Sequence, residues 1–417
     1  MEVINLNQSE SKYKWVITAM CVLVLGIGLG FCSSAKNIFI VPITKAYGFS
    51  RSAFTINDTC RYVTVSLTTI FFHTMVSKFG TKKLLLAGLS CYIISTLLNA
   101  YSTTLMGFYL GGIFLGLAVS WSSTTMISLI INTWFDKNKG TVLGFVLSSN
   151  AIGSAIATST LTPVIYQDGN PFAYKNAYLI TALLLVIVMV VFAVFYKDKS
   201  TSFQPQTQSK EEKSKTKDSS GYDFSQVVRL PQFYIVLICL GFFSLTTVNN
   251  LVATHYPDIG FEPSFVAFIL SLFSVGLAGS NILVGIFYDK FGIRAALNIC
   301  FISSAVAKFL FFVINATSAG KVLATTQSLL LALSTPVETV MLPIIALALF
   351  GQKSFTKTLS VISIASTVGF SLNSPVLNLA FDISGNYTFS FIFAFVLSIV
   401  MLVTINLVLT SLNRKQQ

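Results

Sequence analysis

Charge is scarce in this chain. Only 10% of its 417 residues are Asp, Glu, Lys or Arg, against roughly 25% in a soluble protein. Histidine is nearly missing: His73 and His255 stand far apart, so no metal cluster and no metal ligation are expected. The six cysteines (Cys21, Cys32, Cys60, Cys91, Cys239 and Cys300) all fall in apolar stretches, and none forms a C-x-x-C pair. They read as small apolar packing residues. No glycine-rich phosphate loop followed by Lys-Ser/Thr occurs. Polar sequence is too short for a soluble enzyme domain. No enzyme activity and no cofactor are expected, and any work the protein does must draw on an ion or substrate gradient.

What the chain has is long apolar runs. Hydrophobic residues make up 54% of it, and mean hydropathy is +0.76. A bilayer-crossing helix needs roughly 17–25 such residues. Spans are predicted at about 15–42, 53–76, 83–101, 105–133, 140–165, 175–196, 231–255, 264–288, 295–315, 321–350, 355–380 and 386–411. Residues 1–32 mimic a secretion signal, but the apolar run is too long and no small-x-small site closes it. They read as an uncleaved first span.

The net charge of +12 could suggest nucleic acid, but its placement argues for topology. With the N-terminus inside, twenty Lys/Arg fall on the cytoplasmic side and four (Lys45, Arg51, Lys175 and Lys321) on the outer side, leaving Lys36, Arg61 and Lys308 within spans. Cytoplasmic loops carry this excess. A multi-pass protein of the cell membrane is therefore expected, with the bilayer as its partner, both termini cytoplasmic and no nucleic acid bound.

Residues 197–230 interrupt the pattern with a polar, charged, aperiodic stretch that cannot bury a core. It divides the chain into an N-terminal six-helix bundle (1–196), a cytoplasmic linker (197–230) and a C-terminal six-helix bundle (231–417). The halves resemble each other. Lys78-Phe79-Gly80 follows span 2 and Lys290-Phe291-Gly292 follows span 8, offset by 212 residues. A repeat at that offset implies two copies of one six-helix unit, and paired repeats are an architecture of alternating-access transporters.

The segment Gly285-Ile-Phe-Tyr-Asp289-Lys290-Phe-Gly292-Ile-Arg294 matches the major facilitator superfamily loop motif G-x-x-x-D-[RK]-x-G-x-[RK] at every defined position. The first copy has decayed, with His73 for the glycine and Ser77 for the aspartate. More narrowly, GFSRS (48–52), WFDKNKGTVLGFVLSSNAIGSAI (134–156), FGQKSFTKTLS (350–360) and FDISGNYTFSF (381–391) resemble the oxalate/formate antiporter and monocarboxylate transporter branch. The resemblance implies an all-α membrane protein, with twelve transmembrane helices in two six-helix bundles around a central cavity lined by spans 1, 4, 7 and 10. It also implies transport of a small organic anion, usually a carboxylate, driven by proton symport or exchange with a counter-substrate. Such relatives often carry an arginine in span 8 where this chain has Asn281. Lys36 in span 1 falls near a lysine that the monocarboxylate carriers use.

Ionisable groups within spans cost roughly 2.5–3.5 kcal/mol each to insert, and so are candidates for function. Glu338 lies near the middle of span 10, between Pro336 and Pro343. Desolvation disfavours a charged carboxyl, which suits a proton carrier; the alternative is a structural carboxyl bonded to a hydroxyl or amide. Lys36 either snorkels to the outer interface or faces the cavity as an anion-binding charge. Asp58 and Arg61, three apart, share a helix face and form either a local ion pair or a gate. Lys308, in span 9, reads as snorkelling or packing. Tyr109, Trp121, Asn150, Asn249, Asn281 and Asn373 complete a candidate substrate site, although amides also hold membrane helices together. His255, beside Tyr256 and Pro257, is either a proton relay or an interface residue. Gly285, Asp289, Lys290, Gly292 and Arg294 form a candidate conformational latch.

The leading expectation is thus a monomeric secondary transporter of a small-molecule anion. The alternatives are an exporter of a neutral or hydrophobic compound, and a transport-incompetent sensor on the same fold.

Overall fold

The computed structural model describes residues 2–135, 139–167, 170–196, 223–351 and 353–416. The expected linker lies outside the described residues over 197–222, as do residues 136–138 of the segment after span 4. The described residues are helical nearly throughout.

Eight helices are long and apolar enough to span a bilayer, and a bent pair, Ser318–Thr339 with Met341–Phe350, makes a ninth. One of the eight, Pro263–Leu310, is two helices fused at Gly292. Arg51–Phe79 and Lys139–Ile165 bring the count among the described residues to twelve. The first of these carries Asp58 and Arg61, and the second is rich in Ser, Thr and Gly. Large apolar side chains point outward, among them Ile70 (72% exposed), Ile282 (67%) and Leu407 (65%). Such exposure suits a lipid solvent, in which only backbone that satisfies itself can span.

Two compact units emerge. The first comprises Met1–Thr201 and Glu262–Val275; the second comprises Ser202–Phe261 and Gly276–Gln417. The start of span 8 falls in the first unit, where Ser271 bonds Thr158 (2.8 Å), Ser159 (3.0 Å) and the Ala155 carbonyl (3.0 Å).

The internal repeat is visible in backbone geometry. Gly80 (φ 79°, ψ 164°) and Gly292 (φ 78°, ψ 176°) turn the chain identically after their K-F-G copies, in a region that L side chains avoid. Close packing repeats as well. Gly153 of span 5 meets Gly26 of span 1, and Gly369 of span 11 meets Gly241 of span 7, each without room for a Cβ.

Most spans are continuous helices; spans 1, 4, 7 and 10 are not. Span 1 passes from an α-helix (Glu2–Leu23) through a π-helix (Val24–Ser34) and a 3-10 turn (Lys36–Phe39) to Ile40–Tyr47. Pro42 lacks the donor for the preceding turn and crowds it. Span 4 breaks between Leu105–Trp121 and Thr124–Trp134. There Ser122 turns its hydroxyl back to the Ala118 carbonyl (2.7 Å), and Ser123 caps the second piece by accepting from the Met126 N–H (3.2 Å). Span 7 breaks between Pro231–Leu245 and Asn249–Asp258. Span 10 runs Ser318–Ser334, Pro336–Thr339 and Met341–Phe350, bent by 47°, with Pro336 and Pro343 each removing a helical donor. The breaks in spans 4 and 7 contain no proline.

Candidate functional site

The first unit holds a buried charge cluster. The 3-10 turn of span 1 presents Lys36 to the Asp58 carboxylate of span 2, with which it forms an ion pair, and to Asn57, whose Oδ1 accepts from Nζ at 3.2 Å. The same carboxylate oxygen is 3.0 Å from Nη2 of Arg61. Arg61 also donates to the Ser33 hydroxyl and lies over the Tyr62 ring, 4.2 Å from its centroid. Span 2 can come this close because Gly112 and Gly116 of span 4 face the Asn57 and Arg61 backbone, leaving no space for a side chain. The G-x-x-x-G pair thereby places the charges.

Lys36 does not snorkel; it turns inward and shares Asp58 with Arg61. Two cations therefore meet one carboxylate. Buried ion pairs persist only where geometry and further hydrogen bonds offset the lost hydration, and the amide, hydroxyl and ring supply those contacts. A cavity of about 30 Å³, room for one or two waters, adjoins Lys36, Asn57, Asp58, Thr96, Asn99 and Thr181.

Other candidates of this unit are spread around the cluster. Tyr109 donates to the Ala53 carbonyl at 2.7 Å and ties span 4 to span 2. Asn150 accepts from Ser34 at 3.0 Å, tying span 5 to span 1. Trp121 ends the first half of span 4, and its buried indole N–H makes no hydrogen bond among the described residues.

The second unit is organised by the break in span 7. Asn373 of span 11 donates its amide to the carbonyls of Leu245 (2.7 Å) and Thr247 (2.8 Å), which the break frees. Asn250 in turn donates to Asn373 Oδ1 at 3.0 Å. Asn373 thus has its donors and acceptor engaged in holding span 7 open. Asn249 has a buried Oδ1 that accepts no hydrogen bond among the described residues.

Glu338, half-buried on the short Pro336–Thr339 segment, accepts from the Thr247 hydroxyl at 3.1 Å. Next to it, Thr339 donates to Asn281 Oδ1 at 2.8 Å. The hydroxyl bond anticipated for a carboxyl here occurs, whereas the Asn281 amide bonds Thr339 and not the carboxyl. His255 sits among aromatic rings, 4.9 Å from Phe391 and 5.8 Å from both Phe311 and Tyr387 between centroids. Lys308 is 1% exposed, so it is a core residue that does not snorkel. It donates to Ser398 (2.7 Å) and Thr246 (3.1 Å).

Of the loop motif, Gly292 makes the turn, Gly285 lies in open helix surface, and Asp289 and Lys290 are exposed. Arg294 donates to Thr410 and to the Asn406 carbonyl (3.2 Å) of span 12. No ion pair joins Asp289 to Lys290 or Arg294 among the described residues.

Asn57, Thr246 and Thr247 escaped sequence reading. Thr246-Thr247, one residue before Asn249-Asn250, and Ser122-Ser123 before Thr124-Thr125 were the available signal: tandem small hydroxyls in mid-span, able to compete with the helical backbone.

Broken spans in equivalent places of the two halves, with charges buried among them, are a geometry of membrane transporters. The sequence profile of the Major Facilitator Superfamily matches residues 19–333. The chain belongs to that superfamily. The MFS-type transporter YcxA of Bacillus subtilis (strain 168) is 21% identical over 293 residues, covering 70% of this chain and 69% of YcxA. Multidrug resistance protein 2 of the same organism is 22% identical, covering 73% and 74%. The sialic acid transporter NanX of Escherichia coli (strain K12) is 22% identical, covering 64% of each chain. Among solved structures, a variant of the nucleoside transporter NupG superposes with a TM-score of 0.76 at 13% identity, over 94% of this chain and 99% of that one. The D-xylose-proton symporter superposes at 0.69 and 13%, over 93% and 97%. These structures share the fold.

Proposed function

We propose that this secondary transporter carries a small organic anion, a carboxylate, by alternating access, with proton symport or anion exchange. The carrying observation is the Lys36–Asp58–Arg61 cluster: two cations share one carboxylate, leaving a surplus positive charge beside a polar cavity. A desolvated surplus cation attracts an anion far more strongly than one in water. Glu338, bonded to neutral Thr247, serves as the proton-carrying group. His255 is a relay candidate, and Gly285, Asp289, Lys290, Gly292 and Arg294 form the latch. The relative NanX is named for an acid, which agrees with this reading; kinship to the oxalate/formate and monocarboxylate branch rests on the segments quoted above. The two six-helix bundles, a cytoplasmic linker with cytoplasmic termini, a monomeric state and placement in the cell membrane belong to the same reading.

Counterflow into liposomes holding the purified protein tests it, using a panel of mono- and dicarboxylates. Exchange of a carboxylate is expected; exchange of neutral solutes alone refutes the anion assignment.

A second reading, export of a neutral or hydrophobic compound, draws on two observations. Span 8 offers the uncharged Asn281, and the Lys36 ammonium is already paired with Asp58. The relative named for multidrug resistance agrees with it.

A further inference from the structure

Lys308 is the charged group that the reading above leaves without a task. It lies in span 9, facing spans 7 and 12, above a core that includes Phe243, Cys300, Phe301 and Met341. Its ammonium is 5.6 Å from the Phe243 ring centroid. Its acceptors, Thr246 and Ser398, are hydroxyls whose own protons go to the backbone carbonyls of Phe242 (2.9 Å) and Ala394 (2.8 Å). Each hydroxyl is thus fixed as an acceptor toward Nζ. No carboxylate lies within ion-pair distance of Lys308 among the described residues. A buried lysine solvated by two hydroxyls and a ring is costly to maintain, and packing alone would be met by leucine or methionine.

The charge that faces it is Glu338. Thr246 and Thr247 are consecutive in the break of span 7. Thr246 accepts from Lys308 on one side, and Thr247 donates to Glu338 on the other. Acid and base are separated by one layer of threonine hydroxyls. Around Glu338, span 7 supplies the hydroxyls of Ser244 and Thr247, and span 9 supplies Lys308 by way of Thr246. Span 8 supplies Asn281 through Thr339, and span 11 supplies Ser366 through Ser244 (2.6 Å). Around Lys308, spans 7 and 12 supply hydroxyls and a ring, and span 10 supplies Glu338.

We propose that Lys308 is the counter-charge of Glu338, a positioning residue that favours release of the carboxyl proton across the Thr246–Thr247 layer. The proposal rests on the reading of Glu338 as the proton carrier. A neighbouring cation stabilises a carboxylate against its protonated form. Without one, a desolvated carboxyl would keep its proton and could not cycle. The lysine lies one hydroxyl layer behind the carboxyl, where it can act on the charge without occupying the place of solute or proton.

The test is an infrared titration of the purified full-length protein in lipid nanodiscs, with no solute added. The C=O stretch of a protonated carboxyl that disappears as pH rises is followed, and its absence in Glu338→Gln assigns it. In Lys308→Gln, which keeps donors for Thr246 and Ser398 but loses the charge, the band should persist upward by about 1 pH unit, the lower end of what an opposite charge does. Lys308→Met should do the same, and Lys308→Arg should leave the midpoint near that of the wild type. If the band titrates in the wild type but neither neutral variant moves it, the counter-charge proposal is overturned while the proton-carrier reading stands. If Glu338→Gln removes no titrating band, both fall.

Discussion

The ammonium of Lys36 rests on the carboxylate of Asp58, a span away in sequence, and Arg61 reaches the same oxygen from the next turn of span 2. One acid therefore organises two cations in the interior of the first unit. Any account of anion recognition has to begin from this shared carboxylate.

Asp58→Asn strips the charge that holds both cations and leaves them buried and unpaired. Loss of one partner of a buried pair costs about 3–5 kcal/mol. Thermal unfolding in detergent should show a markedly lower midpoint for Asp58→Asn. Lys36→Met should be milder, because Arg61 still satisfies Asp58.

Lys36→Ala should abolish stabilisation of the purified protein by carboxylates, provided the surplus charge is what binds them. The readout is the shift in unfolding temperature across the carboxylate panel. Unchanged shifts and normal exchange would favour the neutral-solute reading.

Glu338→Gln keeps the hydrogen bond with Thr247 but cannot ionise. Binding and exchange should survive, while their pH dependence and proton-driven accumulation are lost. The sign follows from linkage: an anion binds more readily beside a protonated carboxyl, so lower pH tightens binding in the wild type, and the anion favours proton uptake in return. Accumulation by the variant at the wild-type rate against a gradient would contradict the assignment.

Asn373→Leu removes the amide that accepts from Asn250 and donates to the Leu245 and Thr247 carbonyls. Leaving such buried groups unsatisfied costs about 1–3 kcal/mol each. The variant should unfold at lower temperature, and its amides in residues 244–250 should exchange hydrogen faster than those of the wild type.

The loop copies should contribute unequally. Ser77 donates to the Thr74 carbonyl of its own helix at 3.0 Å, whereas Asp289 offers an exposed charge. Ser77→Ala should change transport little, and Asp289→Ala substantially, at matched expression. Equal losses would show that the latch does not depend on the carboxylate.

Much of the fold was legible because a bilayer imposes a simple rule: a span must be apolar and long enough. Spans 2 and 5 show where the rule bends. Span 2 carries charges paired within the bundle, and span 5 trades bulk for small residues that let Gly153 meet Gly26. The site was legible as a set of residues, since Glu338, Lys36, Asp58 and Arg61 stood out by cost alone. Their contacts were not. The i, i+3 spacing announced Asp58–Arg61, but nothing along the chain announced that Lys36 joins them.

The sequence by itself determined the class of protein, the number of spans and the repeat, because hydropathy and a glycine held at positive φ act locally. Only tertiary structure decided which charges are paired. It turned Lys36 inward onto Asp58, set Lys308 behind Thr246, and engaged Asn373 with the carbonyls that the break in span 7 frees. The physical reason is range. A buried charge or an unsatisfied carbonyl takes whichever polar group the packing brings within about 3 Å, and packing joins residues dozens to more than a hundred positions apart.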